Sequence, residues 1–272
     1  GDNITTGDSN IIIGHGIDAA SATADGQLNI GGMIFGTGGA SASKIGIGTS
    51  SPSQTLHIEG TTVSSGDARS NVIIADDTSF ATGVGGGIVF RAKYNTAGTI
   101  TNMGSIQGIK ENGTDGNYAG ALTFTTRANG ASNTEAMRID SSGNLLVGKT
   151  SGSIGATGTA IYGGSNEGLI ESTRDGANVM KLNRLSSDGD IAVFAKAGTT
   201  VGSIGANGGD LTIGTGDVGL KFNDASGLIS PWDMTANAPE DAAIDLGYAT
   251  GRFKDLYLSG GVVFGATGGA VT

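Results

Sequence analysis

The chain has no cysteine, three prolines, one tryptophan and two histidines in 272 residues. Without cysteine there is no disulfide stapling and no thiolate metal site, and His15 and His57 are too few for the usual zinc clusters. Charged residues make up 15% and aromatics 5% of the chain, against roughly 25% charged in an ordinary soluble domain. The formal net charge is −10 and no local basic cluster offsets it, which argues against nucleic acid and against insertion into anionic membranes. No apolar run approaches the ~18 residues of a membrane span, and no basic-then-apolar leader opens the chain, so neither a span nor a secretory signal is expected. Opening on Gly1 rather than methionine, the sequence reads as a processed piece of something longer.

Glycine is abundant, at 51 of 272 residues. A glycine inside a helix costs about 1 kcal/mol relative to alanine, so recurrence roughly every five residues leaves few windows for a stable helix. The longest glycine-free window, Leu228 to Leu246, contains Pro231 and Pro239. Isoleucine outnumbers leucine, 25 to 14, and β-branched side chains favour pleated strands. Glycine does not fall at every third position, which excludes collagen, and the short regular apolar clusters argue against disorder. The expected class is all-β, and the length alone allows one or two domains.

A short phrase recurs: a polar turn, an alternating apolar pair, then glycine. It appears as Asp25-Gly26-Gln27-Leu28-Asn29-Ile30-Gly31, as Lys44-Ile45-Gly46-Ile47-Gly48, as Ser142-Gly143-Asn144-Leu145-Leu146-Val147-Gly148 and as Gly209-Asp210-Leu211-Thr212-Ile213-Gly214. Period-two alternation bounded by glycine predicts short strands. A larger duplication aligns in order along the chain. Asn71-Val72 matches Asn178-Val179, and Phe90-Arg91-Ala92-Lys93 matches Phe194-Ala195-Lys196. Met103-Gly104-Ser105-Ile106 matches Val201-Gly202-Ser203-Ile204, and Arg138-Ile139-Asp140 with Gly143 matches Lys221-Phe222-Asn223 with Gly227. The organisation expected is a Gly-rich β-roll-like segment at 1–50, a β module at 51–150, a related module with shorter loops at 151–230, and a C-terminal shaft segment at 231–272. Successive copies of one unit would make an elongated particle. Thin strands with few large side chains bury little apolar area at roughly 25 cal/mol per Å², so a monomer would be marginal. Wrapping identical chains around one axis solves this, and the positions expected in that inter-chain core are Ile30, Ile47, Ile58, Ile106, Leu122, Ile139, Val147, Ile204, Ile213, Phe222 and Leu256.

Three stretches carry a family resemblance. They are Met137-Arg138-Ile139-Asp140-Ser141-Ser142-Gly143-Asn144-Leu145-Leu146-Val147-Gly148, Ile47-Gly48-Thr49-Ser50-Ser51-Pro52 with Leu56-His57-Ile58, and Leu246-Gly247 leading to Arg252-Phe253-Lys254-Asp255-Leu256-Tyr257-Leu258. Together they resemble the shaft and repeat regions of bacteriophage tail fibres. That resemblance implies a homotrimeric, extracellular virion component, attached to other tail or baseplate proteins and supporting contact with a host surface glycan or protein. Such fibres often continue into a receptor-binding tip or a cleaved chaperone, and no segment of either kind is recognisable before Thr272. Asn3-Ile4-Thr5-Thr6-Gly7-Asp8-Ser9-Asn10-Ile11-Ile12-Ile13-Gly14 is similar to the head repeat of trimeric bacterial adhesins, a left-handed β-roll, in one good copy. A surface adhesin is therefore the second reading, and a polysaccharide depolymerase on a parallel β-helix the third.

Several motifs tempt toward chemistry. Gly143 to Thr150 matches the phosphate-loop pattern G-x-x-x-x-G-K-[ST], but its interior reads as a strand and the Gly-rich stretch after Thr150 cannot propagate the helix that holds phosphates. Lys149 is expected to be a bystander, replaceable by alanine without loss of stability. Gly83-Val84-Gly85-Gly86-Gly87, and Gly163-Gly164 with Gly168, approximate dinucleotide fingerprints and read as turns. The Asp-Gly pairs at Asp25, Asp115, Asp175 and Asp188 lack the spacing of calcium repeats and read first as turn dipeptides. His57 and Glu59 share one face of a strand, exposed or meeting at a three-fold axis; His15 sits in a turn. Trp232 is either a carbohydrate-stacking platform or a packed anchor. Asn3-Ile4-Thr5 and Asn112-Gly113-Thr114 are glycosylation sequons, meaningful only in a eukaryotic secretory host. No Ser/His/Asp set or carboxylate pair has a pointing motif, so the chain is expected to be no enzyme, with no catalytic, metal or cofactor residues, and with receptor-binding residues unknown.

Overall fold

In the computed structural model, described for residues 2–38, 43–61, 71–163 and 168–261, every regular element is a strand. The chain is all-β: eighteen strands form three sheets of five, seven and six strands.

The first sheet holds β1 (Ile11–Ile13), β2 (Leu28–Ile30), β3 (Ile34–Thr37), β4 (Lys44–Ile47) and β5 (Leu56–Ile58) in sequence order. Strands β1 and β2 are parallel and in register, Ile11 with Leu28 and Ile13 with Ile30, which makes one coil of 17 residues. The Asp8 amide donates to Asp25 Oδ1 at 2.7 Å, so the same turn residue is stacked one coil above the other. β2, β3 and β4 are then antiparallel, and β4 and β5 parallel again. The β-roll expected over 1–50 is thus confined to single coils, because hairpins through β3 interrupt it. Three of the four phrase-ending glycines, Gly31, Gly48 and Gly148, adopt positive φ, the region where side chains with a Cβ are strained.

The seven-stranded sheet contains β6 (Gly87–Lys93), β7 (Ile100–Lys110), β8 (Gly120–Arg127), β9 (Asn133–Ile139), β10 (Leu145–Val147), β11 (Gly158–Ile161) and β12 (Ile170–Thr173), an antiparallel meander in chain order. The six-stranded sheet repeats that topology with β13 (Gly189–Lys196), β14 (Thr199–Asn207), β15 (Asp210–Thr215), β16 (Val218–Asn223), β17 (Leu228–Asp233) and β18 (Ala238–Pro239). The aligned phrases fall on corresponding strands with the same pairing. Phe90 opposes Gly104 and a bulge follows it; Phe194 opposes Gly202 and a bulge follows it. Arg138-Ile139 and Lys221-Phe222 lie on the fourth strand of each sheet. A bulge is a specific irregularity of one strand pair, and it recurs at the matched phenylalanine, while the bulges at Asp190/Ala192 and Phe124/Thr125 have no counterpart in the other sheet.

Two expected boundaries move. The division at 150/151 falls between β10 and β11 of one sheet, and the chain separates instead into units 1–175 and 176–272. The division at 230/231 cuts β17. Beyond β18 the described residues form only an isolated bridge, Tyr248 with Gly251. Leu256, expected in a strand core, lies in irregular chain and is exposed. Gly164 and residues 262–272 lie outside the described residues.

Candidate interaction surface

Strand alternation sends apolar and polar side chains to opposite faces, and register lines them up across strands. In the five-stranded sheet one row reads Ile13, Ile30, Ile34, Ile47, Ile58, with an isoleucine on every strand. Its neighbour on the same face reads Ile11, Leu28, Gly36, Ile45, Leu56. In the seven-stranded sheet Ile88, Ile106, Phe124, Met137 and Val147 form one row, and Leu122, Ile139, Leu145, Ile161 and Ile170 the next. In the six-stranded sheet the rows are Ala192, Ile204, Ile213, Leu220, Pro231 and Ala206, Leu211, Phe222, Ile229. Ten of the eleven positions expected to form an inter-chain core lie on these rows, Leu256 excepted.

The rows are open. Large side chains on them are half-buried, as at Ile30, Ile106 and Ile204, or exposed, up to 65% at Ile170. Buried apolar side chains among the described residues are Ala19, Ala121, Leu146, Ala160 and Trp232.

The opposite faces are, by contrast, internally satisfied. On the seven-stranded sheet Ser105 and Thr125 share a hydroxyl hydrogen bond of 2.7 Å, and Arg138 makes a bidentate pair with Glu135 at 2.5 and 2.7 Å. Residues three apart in a strand normally face opposite ways. Here Ala136 is the extra residue of a bulge, since Thr125 opposes Glu135 while Phe124 opposes Met137, and the bulge returns Arg138 to the face of Glu135. On the six-stranded sheet Lys221 Nζ donates to Asn207 Oδ1 at 2.9 Å and sits 3.2 Å from Asp210 Oδ2, 4.8 Å from the centroid of the Trp232 ring. No buried side-chain nitrogen or oxygen among the described residues lacks a partner.

Burial of Asp210 opposes its ionisation, but the hydrogen bonds from Lys221 and the Asp224 amide, with the attraction of the Lys221 charge, outweigh that and hold the carboxyl below the usual aspartate range. Its folded pKa therefore lies below the unfolded value of about 3.9, and the stabilisation is present above that pH and lost as pH falls through the folded value. Acid unfolding followed from about pH 7 to about pH 3 should show this slope. Asp210→Asn should be the less stable protein at the upper pH and should lose less on acidification; an unchanged slope would remove Asp210 from the account.

Trp232 is 4% exposed and donates Nε1–H to Asn237 Oδ1 at 3.1 Å, so of the two expected roles the packed anchor is the one its geometry provides. The phosphate-loop pattern occupies a hairpin: Asp140 Oδ1 accepts the Ser142 and Asn144 amides, Leu145–Val147 is β10, and no helix follows among the described residues. Lys149 is no bystander, however. It is 8% exposed and donates to the Ser153 carbonyl at 2.8 Å. The Tyr162 hydroxyl donates to the Gly152 carbonyl and Thr173 Oγ1 to the Ile154 carbonyl, so three side chains hold the β10–β11 connection beside the completely buried pair Leu146 and Ala160. The expectation that Lys149→Ala is neutral is corrected accordingly. The substitution should cost about 1.5–3 kcal/mol, the range for a hydrogen bond to a charged group, read as a lower urea midpoint; an unshifted midpoint would restore the neutral reading.

The glycines after Asp25, Asp115, Asp175 and Asp188 all have positive φ, as turn glycines do. Asp25 and Asp188 accept backbone amides, from Asp8 and Gly208. No group of three or more metal-ligating side chains occurs among the described residues. His57 Nδ1 accepts the Ser53 amide at 3.3 Å and His15 lies in a turn.

No protein-family model matches the chain, and no curated protein matches it. A solved structure, the carboxy-terminal domain of the bacteriophage T5 L-shaped tail fibre, is similar over 76% of this chain and 99% of that one, at 14% identity and a TM-score of 0.26. A likeness that loose transfers neither fold nor function.

Proposed function

We propose that the chain is a structural segment of a bacteriophage tail fibre, a homotrimer that supports host attachment mechanically rather than by catalysis. One observation carries the reading: in all three sheets the polar face is satisfied within the chain, while the apolar rows are left open. Sheets bury their apolar face against another layer. No such layer covers these rows among the described residues, so identical chains supply it about a common axis. The tail-fibre phrases support the virion assignment, and the stretch from Met137 to Gly148 forms the β9–β10 hairpin of the seven-stranded sheet. In this reading the chain attaches to other tail or baseplate proteins, acts outside the cell, and has no nucleic-acid partner.

Gold-labelled antibody against the purified chain tests the assignment. Labelling along the tails of intact virions is the expected result. Label confined to a bacterial surface and absent from virions would transfer the same trimer to the surface-adhesin reading, which the β1–β2 coil favours.

A further inference from the structure

Each duplicated meander is preceded by an apolar stretch that has no ladder partner among the described residues. Val72, Ile73 and Ile74 precede β6; Val179, Met180 and Leu182 precede β13; the two stretches correspond in the duplication through Asn71-Val72 and Asn178-Val179. Neither makes a backbone hydrogen bond among the described residues. Ile73 is 84% exposed, and Leu185, just beyond the second stretch, 88%. Both are nevertheless tied down where they approach their strand. Asp76 accepts the Gly85 amide at 3.2 Å, and Arg184 donates to the Asp190 and Ser187 carbonyls at 3.0 and 2.7 Å. At Gly86 a Cβ would lie 1.9 Å from the Ile74 carbonyl oxygen, and at Gly189 it would lie 3.3 Å from the Arg184 guanidinium. Each stretch thus passes close against the chain at the start of its strand and makes no ladder with it. The outer edges of β6 and β13, the end strands of their sheets, stay unpaired among the described residues.

We propose that in the trimer, on which this inference rests, each stretch adds as an extra strand to the free edge of the matching strand in a second copy, residues 72–74 on β6 and residues 179–182 on β13. Unpaired extended backbone and an unpaired sheet edge are mutual templates, and their occurrence together in both meanders argues for one shared use. The charges fit matched pairing. Asp77 follows the stretch that meets the strand bearing Arg91 and Lys93, while Lys181 belongs to the stretch that meets a strand bearing Asp190 near its start and Lys196 at its end. Crossed pairing would set Lys181 against Arg91 and Lys93, so like charge disfavours chains slipped by one module.

Amide hydrogen exchange on the assembled full chain tests this, with mass measured by light scattering on the same sample. Strand addition predicts that amides of 72–74 and 179–182 exchange at least about 100-fold more slowly than in an unstructured peptide. Peptide-like exchange at a three-chain mass would overturn the strand addition and leave the fibre reading standing; a single-chain mass would overturn both. Ile73→Pro supplies the second arm, because it removes an amide that bonds to nothing among the described residues. It should raise the concentration at which the assembly dissociates by about tenfold or more, the effect of roughly one lost charge-free strand contact, while Ile73→Val leaves it unchanged. Unaltered dissociation of the proline variant would overturn the proposal even where exchange is slow.

Discussion

Leu122→Asp should break the assembly into single chains while leaving the seven-stranded sheet folded. Leu122 sits in the middle of the open face, opposite Gly108 on β7 and Ile139 on β9, and is half exposed in the isolated chain. At such a position in a monomer, a polar substitution is worth about ±0.5 kcal/mol. Against apolar rows of two other copies it buries an unpaired carboxylate, three times over in a trimer, at a cost of several kcal/mol for each. The two settings therefore predict opposite outcomes from one variant. Light scattering should fall to the single-chain mass with the circular dichroism of the strands retained. Val89→Asp is the control, since Val89 pairs with Ser105 on the opposite, polar face; it should remain assembled. Retention of the full mass by Leu122→Asp would mean that the open rows meet nothing.

Trp232→Ala carries the second large effect, and it acts within the chain. The ring is the largest buried apolar group among the described residues, on β17 beside Lys221 of β16, and Asn237 accepts its only hydrogen-bond donor. Removing a buried tryptophan typically costs about 3–5 kcal/mol, and here it also strips Lys221 of the ring face, an interaction of order 1 kcal/mol. For a unit of this size each kcal/mol moves the melting temperature by about 4–8 °C, so the six-stranded sheet should melt well over 10 °C lower. Trp232→Phe keeps most of the apolar area and loses the Nε1–H donor, and should fall between. The melts are compared at one protein concentration, because assembly stabilises by mass action. A shift of only a degree or two for Trp232→Ala would mean that the polar face is not where this sheet gains its stability.

How legible was this architecture in the sequence? The rows were, because alternation between glycine turns is a local signal and Ile30, Ile47, Val147 and Ile213 each sit in such a phrase. Their alignment across strands was not, since register depends on partners far along the chain. Leu256 shows the limit: its phrase alternates like the others, but no neighbouring strand among the described residues pairs with it. The boundary near 150 went astray for a different reason. Glycine and serine are as common in a hairpin connection as in a linker, and the stretch from Ser151 to Thr157 joins β10 to β11 inside one sheet. The place of Lys149 is not legible in the sequence, because the related phrase at Ile47 to Ser51 lacks the lysine, and its partner is a carbonyl four residues later that only the folded hairpin brings to it. Trp232 could have gone either way from sequence, because a lone aromatic after proline gives no hint of burial.

The mass of the purified chain in solution tests the central claim most directly. If the open rows of the three sheets are closed by identical chains, light scattering returns three times the 26.7 kDa chain mass, about 80 kDa, unchanged on dilution through the micromolar range. A folded, thermally stable particle at the single-chain mass would contradict it.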